Sequence, residues 1–232
     1  RERLEGDLVT AAEARGKHHL LMTEAGRTLI SHLKMSGRWR IQPAARPARR
    51  GGLFLRLVGE RHQALLYRCP TVQLLEPWEP IPPAIAQLGP DLLAEGVEGG
   101  PTALAAFAGV DLDRAVGEVL LDQRVMAGIG NAYKNETCFL AGVDPWRAIA
   151  DLTRDERHAL GEIAADLLAT GVEQGGRIGT YSPPGVNART RIGTTWVHGR
   201  ANRPCRACGS RIRARGQGED NRTTFWCPTC QS

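Results

Sequence analysis

Apolar and polar residues alternate in short runs from the start of the chain to about Leu75. Leu20-Leu21-Met22, Thr28-Leu29-Ile30, Leu53-Phe54-Leu55-Arg56-Leu57-Val58 and Ala64-Leu65-Leu66-Tyr67 have the length and side-chain content of strands. Turn formers divide them at Glu24-Ala25-Gly26, Pro43 to Gly52 and Val58-Gly59-Glu60. The pattern predicts an antiparallel sheet region with a mobile loop over 43–52. Four prolines between Glu76 and Pro83 mark a linker, after which the period lengthens to that of helices. Helices are expected at Ala103–Phe107, Val116–Gln123, Asn131–Ala141 and Thr153–Thr170. The last opens on a capping box, Thr153 followed by Glu156. From Gly171 to Gly193 the chain is rich in Gly, Pro, Thr and Arg without period, a length of loop that is usually functional or disordered.

The end of the chain changes the picture most. Cys205 and Cys208, then Cys227 and Cys230, form two C-x-x-C pairs separated by eighteen residues, the spacing of a zinc ribbon. Each pair can set two thiolates on one side of a tetrahedral Zn²⁺. Two disulfides or four free thiols are the other arrangements open to these residues. Cys69 and Cys138 stand alone, which fits a reducing cytoplasm. The 232 residues carry a net charge of +5, and seven arginines lie between Arg200 and Arg222 against Glu219 and Asp220. A basic, metal-braced finger favours phosphate partners through counter-ion release. A solvated basic face is the plainer alternative. No apolar run reaches the length of a membrane span, and no signal-peptide pattern is visible.

A second phosphate-seeking element lies in LLDQRVMAGIGNAYKNETCFLAGVDP, which starts at Leu120. Gly128-Ile129-Gly130 makes a tight turn and Asn131 is expected to start the next helix as its N-cap. Glycines let backbone N–H groups approach an anion, and a helix N-terminus adds orphan donors and partial positive charge. Alone, this is equally a helix hairpin with glycines for packing.

Taken with ARGKHHL, SHLKMSGRW, LGPDLL, WVHGRANRPCRACG and NRTTFWCPTCQ in the same order, the segment resembles the formamidopyrimidine-DNA glycosylase and endonuclease VIII family, most closely its actinobacterial endonuclease VIII-like branch. The resemblance runs from about Ala14 to Gln231. It implies an α+β protein of two lobes, an antiparallel β-sandwich (1–80) and a helix-two-turn-helix domain (81–194) bearing a C-terminal zinc-ribbon finger (195–232), with DNA between the lobes. It implies a monomeric bacterial enzyme of the cytoplasm and nucleoid that removes oxidised bases from damaged DNA and cleaves the strand as an AP lyase. Asn131 and Arg222 match the family's phosphate-gripping asparagine and ribbon-tip arginine, with Gly128 and Gly130 shaping the turn. Lys17 matches the lysine that contacts phosphate and assists catalysis. Met35 matches the wedge that fills the gap left by a flipped base, whose unstacking costs a few kcal/mol. His32 is placed near the backbone. His198 stands where relatives often carry a tyrosine near a phosphate. Packing, capping and solvation are the plainer roles for the same side chains.

His198 is one departure from the family pattern, and two others qualify the resemblance further. Arg68-Cys69-Pro70-Thr71-Val72 does not reproduce the Pro-Arg-Arg-Phe segment of some relatives, which points away from a strict 8-oxoguanine enzyme and toward oxidised pyrimidines, in duplex, bubble or single strand. The family's nucleophile is an N-terminal proline amine followed by glutamate. This chain opens Arg1-Glu2-Arg3, downstream of that position by motif alignment, so Glu2 is not given the glutamate's role. On this reading the sandwich lacks its opening helix and strand, and the 232 residues bind damaged DNA without excising bases by the family route. A non-catalytic abasic-site-binding protein and a zinc-ribbon adaptor for protein or RNA are the alternatives. Lesion-selective, salt-dependent DNA affinity separates the adaptor from the other two.

Overall fold

Side-chain alternation places seven antiparallel strands in the first part of the chain. They are β1 (Val9–Arg15), β2 (His18–Thr23), β3 (Thr28–His32), β4 (Arg38–Pro43), β5 (Leu53–Val58), β6 (His62–Tyr67) and β7 (Thr71–Leu75). They form one sheet in the order β1-β2-β3-β7 and another in the order β4-β6-β5. The computed structural model describes residues 4–176, 179–181 and 194–232, and the chain divides into two units, Arg1–Ala86 and Gln87–Ser232. In the first unit Leu20, Ile30, Leu65 and Leu66 are buried. Between the sheets opens an apolar cavity of about 1400 Å³, lined by Val9 and Ala12 of β1, Trp39 and Ile41 of β4, and Leu55 and Leu57 of β5. β1 is exposed along its whole length. The 43–52 loop is tethered rather than loose: the buried Gln63 amide donates to Pro43 O and Ala44 O, each at 3.1 Å.

Two turns in this unit present residues singled out above. Gly16, at φ +55°, takes the left-handed place in the two-residue hairpin joining β1 to β2, so Lys17 stands at its tip. Leu33 to Gly37 joins β3 to β4, with Lys34 at φ 49°. A Cβ on Gly37 would sit 2.7 Å from Leu33 O, so the turn closes only around glycine.

The second unit is helical, with a terminal hairpin. Its helices are α2 (Gly99–Ala108), α3 (Val116–Val119), α4 (Asn131–Leu140) and α5 (Arg154–Glu173), following the short α1 (Pro83–Ala86) of the first unit. The ribbon strands are β8 (Arg213–Gln217) and β9 (Arg222–Trp226). The capping box is formed in full: Thr153 Oγ1 accepts from Glu156 N at 3.1 Å and Glu156 Oε2 from Thr153 N at 2.7 Å. The helix expected over 116–123 is shorter, because Asp122 breaks it by accepting from Arg124 N at 3.1 Å and pairing with Arg114 and Arg124. α5 runs on through Gly171, and the rest of the 171–193 loop lies mostly outside the described residues.

Glycine sets the approach of α2 to α5. A Cβ on Gly161 would lie 2.0 Å from Gly99 O and 2.5 Å from Ala103 Cβ. The obstruction is backbone and cannot swing aside. Gly161→Ala is therefore expected to lose about 1–3 kcal/mol of stability despite its better helix propensity, a loss that denaturant unfolding would measure.

Candidate nucleic-acid interface

α4 begins immediately after the glycine turn. Gly128 adopts φ +102°, and Gln123 braces the turn from inside: its Nε2 donates to Leu121 O and Ile129 O, and its Oε1 accepts from Gly128 N at 3.2 Å. The Gly128 N–H is thus already committed, and an anion would meet the first turn of α4, whose N–H groups have no intrahelical acceptor. The Leu88–Leu93 motif packs here because Gly89 lets its backbone lie against Arg124 and Val125, with Ala127 N donating to Pro90 O at 2.9 Å.

Asn131 is not the N-cap. Gly130 holds that place in extended backbone (φ −107°, ψ 173°), and Asn131 is the first helical residue. Freed from capping, its Nδ2 donates to Thr223 O of β9 at 2.9 Å. An amide nitrogen carries two hydrogens, so one donor is left after this bond. The same bond sets the helix start beside Arg222, the residue before Thr223. Arg222 opens β9 after the turn Gly218–Asn221, and its contact to Asp220 is long (3.7 Å) between two exposed side chains. Such a pair holds the guanidinium only weakly.

The ribbon is fixed to α4 by polar side chains that the helix buries. Lys134 Nζ donates to Gln217 Oε1 at 3.3 Å and to Thr224 Oγ1, joining the helix to both strands of the hairpin. Burial, chiefly, pushes the Lys134 ammonium down to about 8. Asn135 accepts from Phe225 N at 3.1 Å and lies 3.0 Å from His198 Nδ1. Glu136 accepts from three consecutive backbone N–H groups, Trp196 at 2.7 Å, Val197 at 3.0 Å and His198 at 2.8 Å, and from Thr180 Oγ1. His198 is half-buried, and burial holds its imidazole below the usual range.

The four ribbon sulfurs lie within 4.8 Å of one another, with Cys205–Cys230 at 3.9 Å and Cys208–Cys227 at 3.5 Å. A tetrahedron with metal–sulfur bonds of about 2.3 Å has edges of about 3.8 Å. The cluster therefore fits a single tetrahedral cation, and the spacing is far beyond a disulfide bond. Burial first, then the neighbouring thiols, pushes Cys230 up. A cation is what would let all four ionise together.

The first unit holds the other candidates. His32 ends β3 directly opposite His18, their rings 4.7 Å apart edge to face. His32 Nδ1 accepts from Lys34 N at 3.1 Å. Burial, then Lys34, His18 and Lys17, push its imidazole down to about 4, so it is neutral near physiological pH. Cys69, within the departed segment, turns inward, its Sγ 3.4 Å from His32 O and 3.3 Å from Thr71 O, either of which can accept its one S–H. Met35 is 99% exposed, which removes packing as its role within its own unit.

Comparison with known proteins gives this arrangement a context. The formamidopyrimidine-DNA glycosylase N-terminal domain matches residues 1–70 and the H2TH domain of the same enzymes matches residues 88–182. A probable endonuclease 8 2 of Streptomyces coelicolor is 39% identical over 236 residues, spanning 99% of this chain and 81% of the relative. This chain belongs to the formamidopyrimidine-DNA glycosylase/endonuclease VIII family. Another member, the DNA-(apurinic or apyrimidinic site) lyase Nei2 of Mycolicibacterium smegmatis, is 36% identical over 99% of this chain and 84% of its own. The Thermus thermophilus MutM (Fpg) crystal structure superposes with a TM-score of 0.72 at 30% identity, covering 97% of this chain and 84% of that one. The Lactococcus lactis Fpg structure, bound to DNA containing an AP site, shares the fold with a TM-score of 0.74 at 22% identity, covering 100% of this chain and 84% of the other. Among the described residues no helix is long and apolar enough to cross a membrane.

Against this family frame, Asn131, Arg222, His198, Gly128, Gly130 and the four cysteines gather in the second unit, while Lys17, His32 and Met35 belong to the first. Sequence reading passed over Gln123, Lys134, Asn135 and Glu136. Their partners lie up to 90 residues away, except for Gln123, whose signal was the Asp-Gln pair ahead of the glycine turn.

Proposed function

We propose that this chain forms the damaged-DNA-binding body of a base-excision-repair DNA glycosylase/AP lyase of the endonuclease VIII type, acting on oxidised pyrimidines, with Zn²⁺ as the ribbon's structural ion. One observation carries the reading: the Asn131–Thr223 hydrogen bond sets the helix N-terminus and the ribbon-tip Arg222 side by side. Together they offer orphan N–H groups, an amide donor and a guanidinium to neighbouring phosphates of one strand. Such contacts give affinity and register without sequence preference. His198 adds a donor from the segment that Glu136 holds. In the first unit, Lys17 at its hairpin tip and His32 support the backbone and the chemistry. Met35 is the wedge, an apolar side chain free to enter a base stack. The lesion is selected by the lower cost of unstacking a damaged or missing base.

Equilibrium binding of the 232-residue chain to a duplex bearing an abasic analogue, and to the intact duplex, tests this across about 50–200 mM salt. Preference for the abasic duplex is expected. Arg222→Ala should weaken binding to every sequence and lower the salt slope by about one. Equal affinity for the two duplexes would refute the reading.

A further inference from the structure

Asn135 lies in mid-α4, fully buried, and its two partners decide which way round its amide lies. Phe225 N–H must donate, so the atom facing it at 3.1 Å is Oδ1. Nδ2 then faces His198 Nδ1 at 3.0 Å. An amide NH₂ only donates, so Nδ1 must accept, and a neutral imidazole that accepts at Nδ1 carries its proton on Nε2. We propose that Asn135 is a positioning residue that holds His198 as the Nε2–H tautomer, giving the neutral ring one fixed N–H donor for a DNA phosphate. The inference rests on the reading of His198 as a phosphate contact.

The surroundings fix the ring as well as the proton. Its backbone N–H is held on Glu136 Oε1 at 2.8 Å and its carbonyl accepts from Thr195 Oγ1 at 2.6 Å. The ring packs edge to face on Phe225 at 5.2 Å. Lys134, on the same helix, disfavours a charged ring, while Glu136 favours one. An imidazolium would in addition set an Nδ1–H against the Asn135 NH₂. His198 therefore acts as a dipole rather than a cation. A neutral donor displaces no condensed counter-ion, so it adds affinity without adding to the salt dependence, unlike Arg222.

The test needs no DNA for its first arm. Long-range ¹⁵N–¹H NMR correlations of the histidine rings in the full chain should show His198 protonated on Nε2 alone. In Asn135→Asp, an isosteric change that still accepts from Phe225 N–H, the carboxylate should draw a proton onto Nδ1. In the second arm, His198→Ala should weaken binding to the abasic-analogue duplex by about ten-fold, the worth of one hydrogen bond to a charged group, with the salt slope unchanged. Asn135→Asp combined with His198→Ala should bind no more weakly than the weaker single variant. A proton on Nδ1 in the parent, Asn135→Asp leaving it on Nε2, or a slope lowered by about one in His198→Ala would overturn the proposal. If the parent shows the Nε2–H tautomer but no preference for abasic DNA, the reading of function fails and the tautomer assignment stands.

Discussion

Glu136→Ala is expected to detach the segment leading into the ribbon and to cost about 3 kcal/mol, since it strands the buried Val197 N–H, worth about 1–3 kcal/mol, and the part-buried Trp196 and His198 N–H groups, worth less each. The carboxylate is fully buried, and its acceptors are divided. Oε1 takes Val197 N and His198 N, while Oε2 takes Trp196 N and Thr180 Oγ1. That division predicts an order. Glu136→Gln keeps Oε1 for its two amides and loses the Trp196 bond, because the new NH₂ faces another N–H, whereas the Thr180 hydroxyl can rotate to accept. The Gln variant should therefore lie between parent and Ala in denaturant midpoint. Amide exchange at 196–198 should accelerate in Ala at all three positions and in Gln at Trp196 first. Against about 5–15 kcal/mol in total, the Ala loss should show as a clear fall in denaturant midpoint. A Gln midpoint equal to the parent's, with Ala alone lowered, would show that the shape of the side chain, and not its acceptors, matters there.

Glu136 also shows why part of this interface was hidden in the sequence. Lys134, Asn135, Glu136 and Thr137 form a polar run inside a helix, which composition alone assigns to solvent. All four are buried, and the chain 60 to 90 residues later covers the helix and supplies partners to Lys134, Asn135 and Glu136. Nothing within a helical turn of these residues announces that. The Thr153–Glu156 box was legible for the opposite reason, since both of its bonds close within three residues. Strands followed the same division. β2, β3, β5 and β6 advertise themselves by apolar content, whereas β1, β4 and β7 (VTAAEAR, RWRIQP and TVQLL) are strands because a neighbour pairs with them. The cysteine spacing gave the cluster directly, because C-x-x-C fixes the ligand geometry locally. The Asn131 capping role was misplaced by one residue, since Gly130 tolerates the extended backbone and leaves the amide to reach β9.

Chelating the cation proposed for the four ribbon cysteines, or making Cys227→Ser, should abolish lesion-selective binding while leaving most of the helical signal. The ribbon's own core is small: Phe139, Val197, Cys205, Ile212 and Cys227 are buried, and two of the five are cysteines of the cluster. A two-stranded hairpin such as β8–β9 is marginal in water on its own, and ordering each residue costs about 1–2 kcal/mol of backbone entropy. A cation held by the four cysteines would supply the difference, with apparent values of about 10–16 kcal/mol for structural zinc sites at neutral pH. Without it the hairpin no longer presents Thr223 O to Asn131, and Lys134 loses Gln217 and Thr224, so its ammonium is uncovered to water. The helical core around Phe107, Leu120, Met126, Ile129 and Leu160 has no ribbon residue in it and should persist. The expected result is biphasic. Chelation should first change the fluorescence of Trp196 and Trp226, with helical circular dichroism nearly unchanged and DNA affinity reduced by at least about a hundred-fold, the order expected for losing two or more phosphate contacts. Restoring Zn²⁺ should recover both signals in the parent and neither in Cys227→Ser. Full affinity in protein shown by elemental analysis to be metal-free would mean that the fold, and not an ion, holds Arg222 beside Asn131.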